Sequence, residues 1–137
     1  MNIIPVFYFY YEVFFMGAGQ GGSAHGDGKS GLIWPSSAAS TSIELFESRV
    51  SVLVLEKMYV PDSGGAGKFR GGLGSRVRYR KLRDDGEITY APVFPEGVTH
   101  QFAGLFGGRP SGKASARITD GDGNEIRDLG LGERLQI

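Results

Sequence analysis

The sequence contains no cysteine, only two histidines, and no excess of charge of either sign. Without cysteine the chain cannot form a disulfide scaffold or a thiolate metal site, and its composition fits the reducing cytoplasm, where we expect the protein to act. The 15 basic residues balance 15 acidic ones, so no overall field attracts nucleic acid or a membrane surface. We therefore expect no nucleic-acid partner, no membrane partner and no metal site in this chain.

Long hydrophobic runs are also scarce. Residues 3–16 are apolar except for Glu12, but a helix that spans a membrane needs about 20 apolar residues. A signal peptide begins with basic residues, and no lysine or arginine precedes Lys29. Aromatic and β-branched residues are typical of strands. The composition of residues 1–16 therefore predicts a buried strand inside a larger sheet.

Glycine is abundant, with 23 of 137 residues, whereas proteins on average contain about 7%. Because 40% of the residues are apolar, we expect a folded, turn-rich chain and not a disordered one. Thr41 and Glu44 have the spacing of a capping box, which predicts a short helix over residues 42–48. The apolar patterns predict five strands, over residues 50–60, 76–80, 87–93, 114–119 and 125–128, with hairpin turns at residues 84–86 and 120–124.

The predicted fold class is thus mostly β. We expect a β-rich α+β unit, with an antiparallel or mixed sheet, many glycine loops and one short helix. Residues 52–55 of the strand over residues 50–60 are apolar on both faces, which favours a central position in the sheet. Residues 1–137 are predicted to form a single unit of a larger subunit.

Three short motifs imitate known binding sites but lack a required part. Residues 17–22 contain GxGxxG, yet the residues that follow are a poor start for the helix that a dinucleotide site requires. Residues 28–30 resemble the end of a P-loop, but the first glycine of that motif would stand at Ser23. Residues 120–124 imitate the start of a calcium loop, but its twelfth position is Leu131 instead of glutamate. None of the three sites is expected.

The strongest candidate for a binding site is the segment of residues 61–74, PDSGGAGKFRGGLG, in which six of the fourteen residues are glycine. Successive glycine amides can form a concavity that binds anions, and the two cations within the segment favour the same ligand. The candidate residues for binding a substrate or a phosphate are Lys29, Gly64, Gly65, Lys68 and Arg70.

Other polar residues form weaker candidates. His25 and Asp27 lie in one glycine loop, where an imidazole and a carboxylate could act as a base or as half of a metal site, so they are speculative site residues. Arg76, Arg78 and Arg80 share one face of a predicted strand, which suits solvent or a partner's carboxylates better than nucleic acid. No Ser/His/Asp arrangement can be traced, and the catalytic residues stay unassigned.

Four segments, in order along the chain, carry a family resemblance. Residues 61–74 resemble, almost residue for residue, the PDSGGAGxxRGGLG signature of the hydantoinase B/oxoprolinase family. Residues 19–30 look like the glycine-rich GxGxx…GxDGxS segment of that family, and residues 34–47 are similar to its FPTNxxNTPxExxE stretch. Residues 104–112 match its GLFGGxPG motif. On these segments the chain is identified as a member of the family.

The resemblance implies a C-terminal portion of a hydantoinase B-type subunit, because family members are several times longer and these segments belong to their C-terminal part. Residues 1–11 match the family poorly, so the alternative to a buried strand over residues 1–16 is an altered start of the chain. It implies ATP-dependent opening of a small cyclic amide, hydantoin or 5-oxoproline, together with a hydantoinase A-type subunit. ATP and Mg²⁺ would be bound through that partner, and neither by this chain alone. Two alternatives stay open. One is an ATP-dependent carboxylase of ketones such as acetone or acetophenone, and the other is a non-catalytic module whose glycine loops dock subunits.

Overall fold

The structure is a computed structural model that describes residues 16–33, 38–82, 90–92, 97–120, 122–129 and 134–136. In these ranges the chain forms one helix and six strands: α1 (Ile43–Arg49), β1 (Val52–Tyr59), β2 (Ser75–Lys81), β3 (Tyr90–Pro92), β4 (Ala116–Thr119), β5 (Glu125–Leu129) and β6 (Arg134–Gln136). The strands pair in three antiparallel two-stranded sheets, β1–β2, β3–β6 and β4–β5. The expected β-dominated α+β fold with one short helix is confirmed.

The helix α1 begins one residue later than its capping pattern predicts. Ser42 is the N-cap, since its backbone is extended and its Oγ accepts a hydrogen bond from the Leu45 amide at 3.3 Å. The predicted capping box of Thr41 with Glu44 is therefore wrong. The Ser42 hydroxyl also donates to Glu44 Oε2 at 2.7 Å, and this bond lowers the pKa of the Glu44 carboxyl below its ordinary value.

The strands β1 and β2 form the longest sheet, in the two places where the sequence predicts strands. Their register contains a bulge between Val54 and Glu56. In the described part of the chain β1 has only β2 as a neighbour, so the expected central position is not found there. The Val54 amide of β1 donates instead to Glu47 Oε1 of α1, at 2.6 Å. This carboxylate satisfies a backbone donor that an edge strand would otherwise leave unpaired.

The two faces of the β1–β2 sheet carry different kinds of side chain. Directly paired residues share a face, and the three arginines of β2 pair with Leu53, Glu56 and Met58. Glu56 lies 3.8 Å from Arg76 and 3.4 Å from Arg78. The opposite face carries Val52, which at 7% exposure is the one buried hydrophobic side chain among the described residues. Tyr79 on the same face is still 43% exposed, and its partial burial raises the pKa of its hydroxyl.

The β4–β5 hairpin confirms the predicted pair of strands around residues 120–124. The carboxylate of Asp120 closes its turn, accepting hydrogen bonds from the Asp122 amide at 3.0 Å and the Asn124 amide at 2.8 Å. The side-chain amide of Asn124 donates to the other carboxylate oxygen at 2.9 Å. These bonds, with that from the Asn124 side chain first, lower the pKa of Asp120. The carboxylate at the first position of the imitated calcium loop is thus engaged in a turn.

The third sheet joins segments that are far apart in sequence. β3 pairs with β6, with Ala91 opposite Leu135. The predicted turn at residues 84–86 lies outside the described residues, as does the predicted strand before Met16. The predicted hairpin of residues 76–80 with residues 87–93 is therefore not found among the described residues, where β3 pairs with β6 instead. No helix in the described ranges is long and apolar enough to cross a membrane.

Candidate functional site

The first glycine-rich segment folds as a narrow loop over residues 17–31, which we call the first glycine loop. Its base is closed by two backbone hydrogen bonds between Ala18 and Leu32, at 3.0 and 3.2 Å. Near its tip, the Ser23 amide donates to the Gly26 carbonyl at 2.9 Å. This turn occupies the position at which a dinucleotide site would need a helix to start.

The signature loop, residues 61–74, lies alongside the first glycine loop. The Gly28 amide donates to the Arg70 carbonyl at 2.7 Å, and the Gly72 amide donates to the Gln20 carbonyl at 2.8 Å. Residues more than 40 positions apart in sequence are thereby joined backbone to backbone. The two loops form one hydrogen-bonded unit.

Two side chains of the first glycine loop strengthen this contact. Asp27 Oδ1 accepts a hydrogen bond from the Arg70 amide at 2.7 Å, and Ser30 Oγ accepts one from the Leu73 amide at 2.9 Å. Both acceptors belong to the GDGKS block, residues 26–30. The polar residues of this block therefore fix the path of the signature loop.

Close backbone packing explains why glycine is needed where the loops meet. A Cβ atom placed on Gly72 would meet the carbonyl group of Lys29, and one placed on Gly28 would meet the carbonyl group of Gln20. These obstacles are backbone atoms, which cannot turn away as a flexible side chain could. Any larger residue at either position would push the two loops apart.

A third glycine-rich segment completes the unit. The Arg109 amide donates to the Ala66 carbonyl at 2.7 Å, and the Gly112 amide donates to the Ser63 carbonyl at 2.9 Å. Ser63 also holds the two ends of the signature loop together, because its Oγ donates to the Val60 carbonyl and accepts from the Gly74 amide, each at 2.7 Å. The three glycine blocks that the sequence shows separately thus form one structure.

The signature loop leaves a row of donors unused. The backbone amides of residues 64–69 donate a hydrogen bond to no described residue. These residues are exposed or half-buried, so the segment that carries the amides borders on solvent. Successive amides of this kind are a common way of binding an anion. Two of the candidates, Gly64 and Gly65, supply the first two amides of the row.

The candidate cations differ in how they are engaged. Arg70 Nη2 lies 2.8 Å from Asp62 Oδ1 in an exposed ion pair. The Lys68 ammonium lies 5.4 Å from the centre of the Phe69 ring, in a cation–π contact. Lys29 is exposed, and its ammonium makes no ion pair within the described part of the chain. Lys68 thus lies within the row of amides, Arg70 follows directly after it, and Lys29 lies on the neighbouring loop.

His25 and Asp27, the further candidate residues, lie near the tip of the first glycine loop. The His25 amide donates to Ser23 Oγ at 3.2 Å, which places this histidine in an exposed turn. Asp27 binds the Arg70 amide, as described above. Among the described residues no group of three or more histidine, aspartate or glutamate side chains could hold a metal ion.

Several residues that build the site were not predicted from the sequence. Asp62, Ser63 and Ser30 contact the signature loop through their side chains. Asp62 has a positive φ of 55°, which is uncommon for a residue other than glycine. A Pro-Asp-Ser-Gly sequence is typical of a turn, and this signal could have identified Asp62 and Ser63. No local signal could have connected Ser30 with Leu73.

Two clefts among the described residues are lined by residues outside the signature loop. One, of about 220 Å³, adjoins the base of the first glycine loop and is lined by Met16, Gly17, Ser40, Lys57, Met58, Tyr59 and Ser75. Another, of about 260 Å³, lies where α1 meets the start of β1. Neither cleft contains a candidate cation. Neither of these two clefts includes a residue of the row of amides.

These observations define a class of structure in which three glycine-rich loops, joined to one another by hydrogen bonds, accompany a small set of paired β-strands. The profile of the hydantoinase B/oxoprolinase family matches residues 5–137. The chain belongs to this family, as the four sequence segments indicate.

One curated relative is an uncharacterized protein of Methanocaldococcus jannaschii. It is 36% identical to this chain over 106 residues, which cover 68% of the chain and 19% of that protein. The chain therefore spans about a fifth of the length of this relative. No solved structure matches the chain.

Proposed function

We propose that the chain works as part of a hydantoinase B-type subunit in the ATP-dependent opening of a small cyclic amide, with hydantoin or 5-oxoproline as substrate. A hydantoinase A-type subunit would be its partner and would bind ATP and Mg²⁺. The observation that carries this proposal is the row of unused amides at residues 64–69, beside Lys68 and Arg70. Family membership supports the type of subunit.

The charges of the signature loop suit an anionic group. Asp27 and Asp62, the carboxylates that contact this loop, both bind Arg70, one at its amide and one at its guanidinium. Residues 64–70 themselves contribute two cations and six unused backbone donors, and no carboxylate. Such groups stabilise a phosphate or an oxyanion best when they are fixed beforehand. The hydrogen bonds from the first glycine loop and from Arg109 would provide this fixation.

In this proposal the residues of this chain bind and orient the substrate, and the partner subunit activates the substrate with ATP. ATP would supply the phosphoryl group that makes the amide carbon reactive toward water. The amides of residues 64–69 would bind the oxygens that become negatively charged, and Lys68 and Arg70 would balance their charge.

Two other functions are compatible with membership of the same family. An ATP-dependent ketone carboxylase would need the same stabilisation of an anion, so the choice between the branches depends on the substrate. A non-catalytic docking module is favoured by a different observation, the exposed turn at Leu105 and Phe106. A docking role and a role in anion binding are compatible, since they use different loops of one unit.

The experiment is co-expression with a hydantoinase A-type subunit, followed by measurement of ATP hydrolysis. Hydantoin, 5-oxoproline, and acetophenone with bicarbonate are added separately. The variants Lys68→Ala and Arg70→Ala are expected to lose substrate-stimulated hydrolysis while the complex still assembles. Arg80→Ala, which removes an exposed cation on β2, is the matched control and should behave as the wild type.

The outcomes separate the three functions. Stimulation by a cyclic amide supports the hydrolase, and stimulation by the ketone with bicarbonate supports the carboxylase. An assembled complex whose turnover does not change in Lys68→Ala and Arg70→Ala would refute the catalytic role of the signature loop. Only the docking function would then remain.

A further inference from the structure

The turn at residues 105–108 presents the most exposed apolar side chains of the described chain. Leu105 is 77% exposed, Phe106 is fully exposed, and Phe102 on the same loop is 59% exposed. A single exposed apolar residue is ordinary, but adjacent leucine and phenylalanine side chains projecting from one turn need a reason. We call Leu105 and Phe106 the apolar tip.

The backbone of the apolar tip makes this choice of residues more unusual. The Gly108 amide donates to the Leu105 carbonyl at 3.0 Å, and the two residues between them have positive φ angles, 51° at Phe106 and 87° at Gly107. A turn with two positive φ angles prefers asparagine or glycine at both central positions. A bulky aromatic residue is therefore placed against the local backbone preference. An outlier of this kind points to a role outside the fold of the chain itself.

The apolar tip stands on a fixed base. A Cβ atom on Gly104 would meet the carbonyl group of Gly108, so the two sides of the turn are in close contact. Immediately after the turn, the Arg109 amide binds the Ala66 carbonyl of the signature loop at 2.7 Å. A rigid base reduces the entropy lost when an exposed side chain is bound. The hydrogen bond from Arg109 to Ala66 also connects the apolar tip directly to the proposed anion site.

The charge around the apolar tip indicates the chemistry of what it binds. Residues 97–113 contain no aspartate or glutamate, although the whole chain has as many acidic as basic residues. The same segment carries Arg109 and Lys113, both exposed. A complementary surface would offer an apolar pocket for Phe106 and carboxylates at the rim of that pocket.

We infer that the apolar tip is the anchor by which this chain docks onto its partner subunit, with Phe106 entering an apolar pocket rimmed by carboxylates. The inference rests on the proposed function, which provides the partner. Two side chains bury far less than the roughly 1,600 Å² of a standard interface, so a second copy of the chain held by these tips alone would not form a stable dimer. They have the size of a hot spot within a larger interface. The balanced net charge of the chain disfavours an anionic lipid surface.

The test measures the affinity of the chain for a purified hydantoinase A-type subunit. Phe106→Asn removes the ring and installs a residue that the turn prefers, so it should fold at least as stably as the wild type while binding about tenfold more weakly. Phe106→Trp retains a ring and should bind within about threefold of the wild type. Leu82→Ser, which replaces an apolar side chain that is exposed away from the tip, is the matched control and should leave the affinity unchanged.

Four results would overturn the inference. Equal affinity of Phe106→Asn and the wild type would show that the tip is not the anchor, while the proposed function would stand if turnover persisted. Binding to vesicles of equal parts phosphatidylcholine and phosphatidylglycerol that depends on Phe106, without binding to the subunit, would show a membrane anchor. Sedimentation that reveals a dimer dependent on Phe106 would show a contact between copies. Absence of any binding by the wild type would refute the anchor, whereas the proposed function is refuted by the turnover measurements on Lys68→Ala and Arg70→Ala.

Discussion

Asp27 binds the backbone amide of Arg70 at 2.7 Å, and thereby joins two loops whose contacting residues are 43 positions apart. The side chain of Arg70 is turned to another carboxylate, Asp62 Oδ1 at 2.8 Å. Arg70 is thus held through both its backbone and its guanidinium. The position of this cation relative to the row of unused amides depends on Asp27 as much as on the signature loop itself.

Removing the Asp27 carboxylate should loosen the contact between the two loops. We expect Asp27→Ala to lower the free energy of unfolding by about 1 kcal/mol, since a charge-assisted hydrogen bond at an exposed site is lost. Asp27→Asn retains an acceptor oxygen and should cost less than half as much. Urea unfolding followed by circular dichroism measures both values. Equal stability of Asp27→Ala and the wild type would mean that the Gly28 and Gly72 backbone bonds hold the loops by themselves.

Glycine at position 72 is expected to be indispensable for the same contact. Gly72→Ala places a methyl group against the Lys29 carbonyl, and we expect a loss of about 1–3 kcal/mol in the free energy of unfolding. Gly21→Ala is the matched control, because a Cβ atom there meets nothing within 4 Å. It should be neutral or slightly stabilising. The comparison is made by denaturant unfolding, and a similar loss in both variants would contradict the close approach of the loops.

The sequence predicts those parts of the fold that depend on neighbouring residues. The turn of the β4–β5 hairpin is closed by Asp120 and Asn124, which lie four positions apart, and its two strands were found where they were expected. The alternation along residues 76–80 likewise identified β2. The helix was displaced by one residue because Thr41 and Ser42 are both good N-caps, and only the backbone conformation decides between them.

The parts that escaped prediction depend on contacts between distant segments. Nothing in the residues around Ser30 indicates that its hydroxyl binds the Leu73 amide. The pairing of β3 with β6 is hidden for the same reason, since each strand has only three residues and the two are more than 40 positions apart. Glycine-rich loops make this harder, because they carry no hydrophobic periodicity from which a register could be derived.

The Asp120 turn gives the stability a specific dependence on pH. The pKa of Asp120 is lowered from an ordinary value of 3.8, so the unfolded chain binds its proton at a higher pH than the folded chain does. Its contribution is fully present above pH 3.8 and is lost as the pH falls through the lower folded value. Titration of the Asp120 carboxyl by NMR measures the folded pKa. Asn124→Ala should raise it, since the largest cause of the shift is removed, and an unchanged pKa in this variant would contradict the assignment.

The carboxylate of Glu47 should protect the edge of β1. Glu47→Ala leaves the Val54 amide without its acceptor, and we expect a loss of about 1–2 kcal/mol together with faster aggregation, since an unpaired edge can recruit another strand. Glu47→Gln keeps an oxygen acceptor and is the matched control. Unfolding in urea and light scattering at increasing protein concentration measure the two effects. Aggregation of Glu47→Gln at the same rate as Glu47→Ala would mean that charge, and not edge protection, is decisive.

Asp62 competes with any anion for Arg70, and this competition can be measured. Asp62→Asn removes the charge, while asparagine tolerates the positive φ of 55° at this position. An exposed ion pair contributes at most about 1 kcal/mol, so the free energy of unfolding should change little, whereas the affinity for inorganic pyrophosphate should rise by about fivefold. Isothermal titration calorimetry measures that affinity. The double variant Asp62→Asn/Arg70→Ala should show no gain, because the liberated guanidinium is absent. If Asp62→Asn binds pyrophosphate no better than the wild type, Arg70 does not take part in anion binding, and the row of amides would have to bind the phosphate without it.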